Sequence, residues 1–306
     1  MRSRGLLLPF ALWLGIFILI PLGLVVYYGV TVEAPVAYTE IVLGDGSPAY
    51  RLEDGTVTGE KPFGTRASFS LANFSRLADP MYLRLLWRSL SVALSTTAIC
   101  LLLGYPVALI LTGRGFKHRS LLLLLIILPM WMNFLLRTYA WLSLLENSGL
   151  INRLLETLGL PKQRFLYNEG AVVLGMVYNF FPFMVLPLYS VMEKNDHSLL
   201  EAAADLGANP RKAFLRVTLP FSLPGVLEGV TMVFVPAVTT FVISQLMGGG
   251  KVPLIGDIIQ QQFGKANDWH FGAAMSLLVM VIVLAFMYAL NRADHEEKAE
   301  KEVRIW

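Results

Sequence analysis

The chain has 306 residues, of which 55% are hydrophobic and only 15% charged, with a formal net charge of +3. A soluble domain carries about 25% charged residues, so this composition excludes an ordinary soluble domain and makes the bilayer the main solvent. The small net charge gives no footprint for a nucleic-acid partner, and a single cysteine, Cys100, excludes a disulfide framework and reads as a small buried hydrophobe.

A membrane span needs about 20 mostly apolar residues to cross a hydrocarbon core of about 30 Å. Six runs meet that requirement: roughly 5–29, 88–112, 120–145, 170–192, 224–247 and 271–291. The expected class is an all-helical integral membrane protein with one membrane domain over 1–306. The first run follows Arg2 and Arg4, as a signal peptide would. It is too long for one and lacks a small-residue cleavage site, so it reads as a retained helix.

The segment 30–87 comes next. Within it, AYRLEDGTVTG alternates around Asp54-Gly55, the signal of a hairpin with a two-residue turn. That hairpin reads equally as a docking surface or as a surface insertion without a role. Between the second and third runs, GRGFKHRS carries Arg114, Lys117 and Arg119 and no acid. Short basic loops stay in the cytoplasm, which puts this loop, the N-terminus, the loop 193–223 and the tail 292–306 inside. The segments 30–87, 146–169 and 248–270 then face outside.

The third run carries Trp131, Asn133, Arg137, Tyr139 and Trp141. A charge at mid-membrane costs roughly 2.5–3.5 kcal/mol on insertion scales, so Arg137 is expected to face the interior and pair. Asn133 is four residues away and shares its helical face. Arg137 would repel a cation and reads as a structural or gating group, whereas the Trp131 ring can offer a cation–π face or simply pack. In the fifth run, Ser244 and Gln245 are polar candidates for a path. Pro106, Pro129, Pro182, Pro187 and Pro236 interrupt the central runs. Each frees a backbone carbonyl, which suits either kinked packing or a bundle around a watery path. His118, His197, His270 and His295 lie in loops or the tail without ligand spacing. No metal site is expected, and each histidine reads as solvated or interfacial. GGGK at 248–251 continues with valine, so no phosphate-binding loop is completed.

The loop 193–223 is patterned in detail. Ser198-Leu-Leu-Glu201 has the form of a capping box. Ala202, Ala203 and Ala204 favour helix, and Gly207 stands where a left-handed stop needs glycine. Asn209 and Pro210 suit the N-cap and first position of a second helix. That helix is expected to run to about Val217, with Leu219-Pro220 turning the chain toward the next span. The pattern serves equally as a well-capped interfacial helix or as a rigid joint against another surface.

Glu201-Ala202-Ala203, Gly207 and the closing Val217-x-Leu219-Pro220 resemble the EAA loop of ABC importer permeases. Valine stands where isoleucine is common. LADPMYLRLLWRSLSVAL, LLLGYPVALIL, LPMWMNFLLRTYAW, FPFMVLPLYS and DWHFGAAMS, across about 70–290, are similar to the polyamine (spermidine and putrescine) branch of that family. The segment 30–87 is longer than that branch implies. The resemblance implies a six-span type I importer permease of MetI-like fold. Glu201, Ala202, Ala203, Asp205, Gly207, Leu219 and Pro220 would then dock the ATPase. It also implies a second homologous permease subunit, two ATPase subunits that hold ATP and magnesium, and an extracytoplasmic polyamine-binding protein. The chain itself would bind no cofactor and hydrolyse nothing. An importer for ferric iron or a phosphonate, or an ion-coupled secondary transporter, remain the alternatives. The scarcity of buried acids for a coupling ion weighs against the last.

Overall fold

The computed structural model describes residues 12–35, 38–42, 48–52, 56–58, 65–113, 117–194 and 197–303. The chain divides into two compact units, Met1–Leu83 with Ile259–Met280, and Arg84–Ile258 with Val281–Trp306. Among the described residues, five helices are long and apolar enough to span a membrane, and a bent helix pair raises the number to six if it counts as one span.

The first unit begins with helix α1, Leu12–Gly29. Strand β1 (Thr31–Pro35) follows and pairs antiparallel with β5 (Thr65–Phe69). Between them β2 (Tyr38–Val42), β3 (Pro48–Leu52) and β4 (Val57–Thr58) form an antiparallel meander. The expected hairpin is therefore present, but its register differs. Arg51 pairs with Val57 and Tyr50 with Thr58. A two-residue turn at Asp54-Gly55 would instead pair Arg51 with Thr58. The turn residues 53–55 lie outside the described residues. Helix α2 is Ala72–Leu77. The last helix, α13 (Trp269–Val303), begins in this unit. It approaches α1 closely, because a Cβ on Gly29 would sit 3.4 Å from the Ala274 nitrogen.

Of the two readings expected for the histidines, solvated or interfacial, His270 departs from the solvated one. It is 8% exposed. Its Nδ1 lies 3.0 Å from the Tyr28 carbonyl and 3.1 Å from Thr31 Oγ1. The ring serves the end of α1, whose last carbonyls lack helical partners.

The second unit contains most of α3 (Pro80–Thr112), then α4 (Arg119–Ile127), a 3₁₀ turn (Leu128–Trp131), α5 (Phe134–Leu145), α6 (Leu150–Thr157) and α7 (Glu169–Glu193). It continues with α8 (His197–Asp205), α9 (Pro210–Ala213), α10 (Leu219–Thr239), α11 (Val242–Gly248) and the start of α12 (Ile255–Gln261). Its core is α7 against α10. In a bilayer, where apolar burial gives helices little reason to associate, small residues earn close contact through packing. Gly229 of α10 and Gly104 of α3 both face Met184 of α7, which is fully buried. A Cβ on Gly225 would lie 3.0 Å from the Pro187 carbonyl oxygen. Cys100 is buried as expected.

Two expected spans are not single helices. The run 120–145 breaks at Met132-Asn133, and the pair Arg119–Trp131 and Phe134–Thr157 is bent by 100°. Pro129 lacks the N–H that a continuing helix needs. Asn133 takes extended angles (φ −57°, ψ 132°) and caps a new helix, its side chain accepting from Leu135 N. The run 224–247 also ends early. α10 stops at Thr239, Thr240 is extended, and α11 starts afresh at Val242. The start of α12 covers this break, where only glycine fits. A Cβ on Gly256 would lie 2.6 and 2.7 Å from the Thr239 and Thr240 oxygens.

Candidate functional site

The loop 193–223 folds as a hairpin of two short helices. α8 starts at His197, so Ser198 already lies in its first turn rather than ahead of it. The helix stops at Gly207, where φ is +76°. Gly207 N donates to Ala204 O (2.8 Å) and Ala208 N to Ala203 O (2.9 Å). These are the paired bonds of a Schellman stop, and they satisfy two carbonyls the helix end would otherwise leave open. Asn209 then caps α9, its Oδ1 accepting from Lys212 N at 2.8 Å, with Pro210 in the first turn.

The hairpin does not end where Leu219-Pro220 suggests. Phe214–Thr218 is a π turn in which Leu219 N donates to Phe214 O, and the helix runs on into α10. Pro220 has no N–H to give the carbonyl four residues back, and its ring crowds that carbonyl. A wider turn relieves both problems without a break. The result is a continuous helix from Pro210 to Thr239.

Two contacts tie this joint to the interior. The Tyr105 hydroxyl on α3 lies 2.8 Å from Ser222 Oγ, and Ser222 is fully buried. The Tyr105 ring meets Phe214 edge-on, with centroids 5.9 Å apart. The hairpin's outer surface is bare by contrast. Glu201, Ala202, Asp205 and Gly207 are exposed, Ala203 is half-buried, and Leu206 at the corner is 89% exposed. A rigid, small-residue helix with an uncovered leucine is suited to another protein surface.

The helices that carry most of the expected path residues, α5 and α11, pack against each other, and the residues on them differ in exposure. Trp131 and Tyr139 are exposed at 77% and 52%. Arg137 is 8% exposed, and its Nε and Nη1 are buried without a hydrogen-bond partner among the described residues. Asn133, expected on the same helical face, instead caps α5 with its side chain. Ser244 is buried and donates to Phe241 O at 2.8 Å, while Gln245 is exposed.

Sequence reasoning missed three residues here. Ser89 on α3 is buried and accepts from Ile255 N at 2.7 Å. Asp257 is buried beside Ser244 and Gln245, and its Oδ2 accepts from Leu254 N at 2.8 Å, closing the start of α12. Burial raises its carboxyl above the usual range, and these hydrogen bonds draw it partly back. An acid three residues after the start of a short apolar helix was the available signal. The third is Glu228, an exposed acid inside α10.

Residues 83–293 match the family described as "Binding-protein-dependent transport system inner membrane component". The chain is 42% identical over 238 residues to the spermidine/putrescine transport system permease protein PotB of Escherichia coli (strain K12), covering 76% of this chain and 86% of the relative. In fold it is similar to a chain of a bacterial ABC transporter involved in the import of the acidic polysaccharide alginate. The TM-score is 0.72 at 14% identity, covering 96% of this chain and 95% of that one. It is also similar to a chain of the MetNI methionine ABC transporter, with a TM-score of 0.54 at 18% identity, covering 72% of this chain and 99% of that one.

Proposed function

The chain belongs to the family of binding-protein-dependent transport system inner membrane components, and on that premise we propose that it is one permease subunit of an ATP-driven importer of polyamines, spermidine and putrescine foremost. The observation that carries the reading is the hairpin over 197–218. It is locked at its corner by Gly207 and Asn209, joined without a break to α10, fastened to α3 through Tyr105, and bare on its outer surface. Such an element moves as a body, so a push on α8 reaches the buried helices instead of bending a loop.

The hairpin lies in the cytoplasm with both termini and docks on one of two ATPase subunits, which hold ATP and magnesium. A second, homologous permease completes the path, and an extracytoplasmic binding protein delivers the polyamine. ATP binding draws the ATPases and their hairpins together and opens the path outward, and hydrolysis resets it. Glu201, Ala202, Ala203, Asp205 and Gly207 form the docking surface, while Leu219 and Pro220 belong to the turn that carries the motion inward.

The relatives' transport of spermidine and putrescine, at more than 40% identity, supports the substrate class. The test is uptake of labelled spermidine into proteoliposomes containing this chain, its permease partner, the ATPase and the binding protein. Uptake should require all four and ATP. A complete complex that moves iron or a phosphonate but neither polyamine would overturn the substrate assignment.

A further inference from the structure

We propose that Glu228 of α10 holds a cationic amine of the transported substrate, at an open groove between α10 and α13 within the second unit. The inference rests on the polyamine reading above and names where in this chain the cargo's charge is met.

Glu228 stands nine residues after Leu219 and eleven before Thr239 in an apolar helix. At about 1.5 Å per residue it lies roughly 6 Å inside the inner end of the span read at 224–247. A carboxylate within a span is expensive and faces a partner or a watery cavity. Within this chain Glu228 has no partner: it makes no hydrogen bond or ion pair with the described residues. It does not serve the core either. Gly229, the next residue, faces Met184 of α7, and one residue turns the side chain by about 100° around the helix. That rotation carries Glu228 to the helix surface, where it is exposed.

What it meets there is a groove of about 560 Å³. Thr231 on α10, and Tyr288 and Asn291 on α13, are its other polar lining groups, and no lysine or arginine is among the described residues that line it. The remainder is leucine, methionine and proline. A polyamine alternates ammonium groups with methylene spacers, and this lining supplies oxygens for the first and apolar side chains for the second. The carboxylate, hydroxyl and amide oxygens can accept from an ammonium, and the phenol ring of Tyr288 offers a cation–π face. The thioethers and leucines suit the methylenes, since methionine adapts to irregular apolar shapes. The Thr231 hydroxyl already donates to Leu227 O at 2.8 Å, which leaves its lone pairs for an incoming N–H. A fixed salt bridge to a neighbouring subunit would need one cation and no groove.

The experiment uses the reconstituted four-component complex. Glu228→Gln should assemble at wild-type yield, yet at saturating spermidine its uptake per complex should fall about tenfold, the scale of one lost charge-assisted contact. Glu228→Asp should recover most of it. In a second arm, Glu228→Cys is treated with methyl methanethiosulfonate, to which the buried Cys100 is shielded. Spermidine should slow the modification, and sodium chloride of equal ionic strength should not. Wild-type rates for Glu228→Gln, or a modification rate indifferent to spermidine, overturn the proposal and leave the polyamine reading intact. Loss of assembly in Glu228→Gln without spermidine protection of the cysteine assigns the carboxylate to subunit pairing and also overturns it. A wild-type complex that moves no polyamine overturns the underlying reading and this inference together.

Discussion

Two of the helix interruptions in the second unit, the hairpin and the bent pair, treat their polar groups in opposite ways. At the hairpin, the corner uses neighbours three to five residues away: Ala203 and Ala204 carbonyls for the stop, Asn209 for the next start. At the bent pair over Arg119–Thr157, Asn133 closes its own helix start, but the guanidinium one turn later is left with two buried nitrogens unpartnered among the described residues. The hairpin is thus complete in its backbone and open in its apolar surface. The bent pair is also open in its apolar surface, with Trp131 77% exposed, but it is incomplete in its hydrogen bonding. An element completed locally can be carried as a rigid part and offered to a partner. One left incomplete depends on a group from elsewhere for its stability.

Removing the charge at the bent pair separates these cases most strongly. Arg137→Leu should stabilise the isolated chain in detergent by about 1–3 kcal/mol, the usual penalty of unmet buried polar atoms. The same change should lower the yield of assembled complex by about 3–5 kcal/mol, the loss seen when one partner of a buried pair is removed. Thermal unfolding of the chain alone, set beside complex yield from co-expression, measures both. A variant that is less stable alone and assembles normally would mean that the guanidinium is satisfied within the chain, and the contrast would collapse.

The open surface of the hairpin predicts the next effect. Leu206→Asp should weaken ATPase association by about 2 kcal/mol, or roughly thirtyfold, because an exposed leucine becomes a charge that docking must desolvate. The stability of the chain itself should change by no more than about 0.5 kcal/mol, as expected of a surface position. Titrated co-purification with the ATPase tests this, and undiminished binding would remove Leu206 from the docking surface.

The smallest effects concern the corner. Gly207→Ala meets no atom within 4 Å of its new Cβ, so its cost is that of the backbone angle alone, about 1–2 kcal/mol. Asn209→Ala should cost about 1 kcal/mol through the lost cap. Hydrogen exchange at the Ala208 and Lys212 amides reads each change separately. Protection of Lys212 that survives Asn209→Ala would show that the cap is not what holds α9.

The same contrast explains how far the sequence could be read. Gly207, Asn209 and Pro210 act on residues within five positions, so their roles were visible in a string of twenty letters. Leu219-Pro220 was visible too, but as an end rather than a continuation, because proline in a helix admits either a break or a wider turn and only the neighbouring geometry chooses. The break at Asn133 was hidden by the apolar residues on both sides, which satisfy a span criterion whether the helix is straight or folded by 100°. Arg137 is buried as expected, but that Asn133 would be the cap of a new helix was not visible from its sharing a face with Arg137. Ser89 was illegible, since the contact that brings it to Ile255 closes over 166 positions, whereas Asp257 acts three residues away and left a local signal.

The wide turn at Phe214–Thr218 also sets a phase. It stores one surplus residue between the docking helix and the shaft that enters the membrane. An ordinary α turn over the same five residues would swing α8 about 100° around the axis of α10, with an advance of about 1.5 Å. Leu206 would then point more than a quarter of a revolution from its present bearing while every side chain of the hairpin stayed the same. Deleting one residue there would let the turn relax to ordinary pitch and leave that bearing nearly unchanged. The wide turn is therefore itself a specification, as the angular setting of a key on its shaft is.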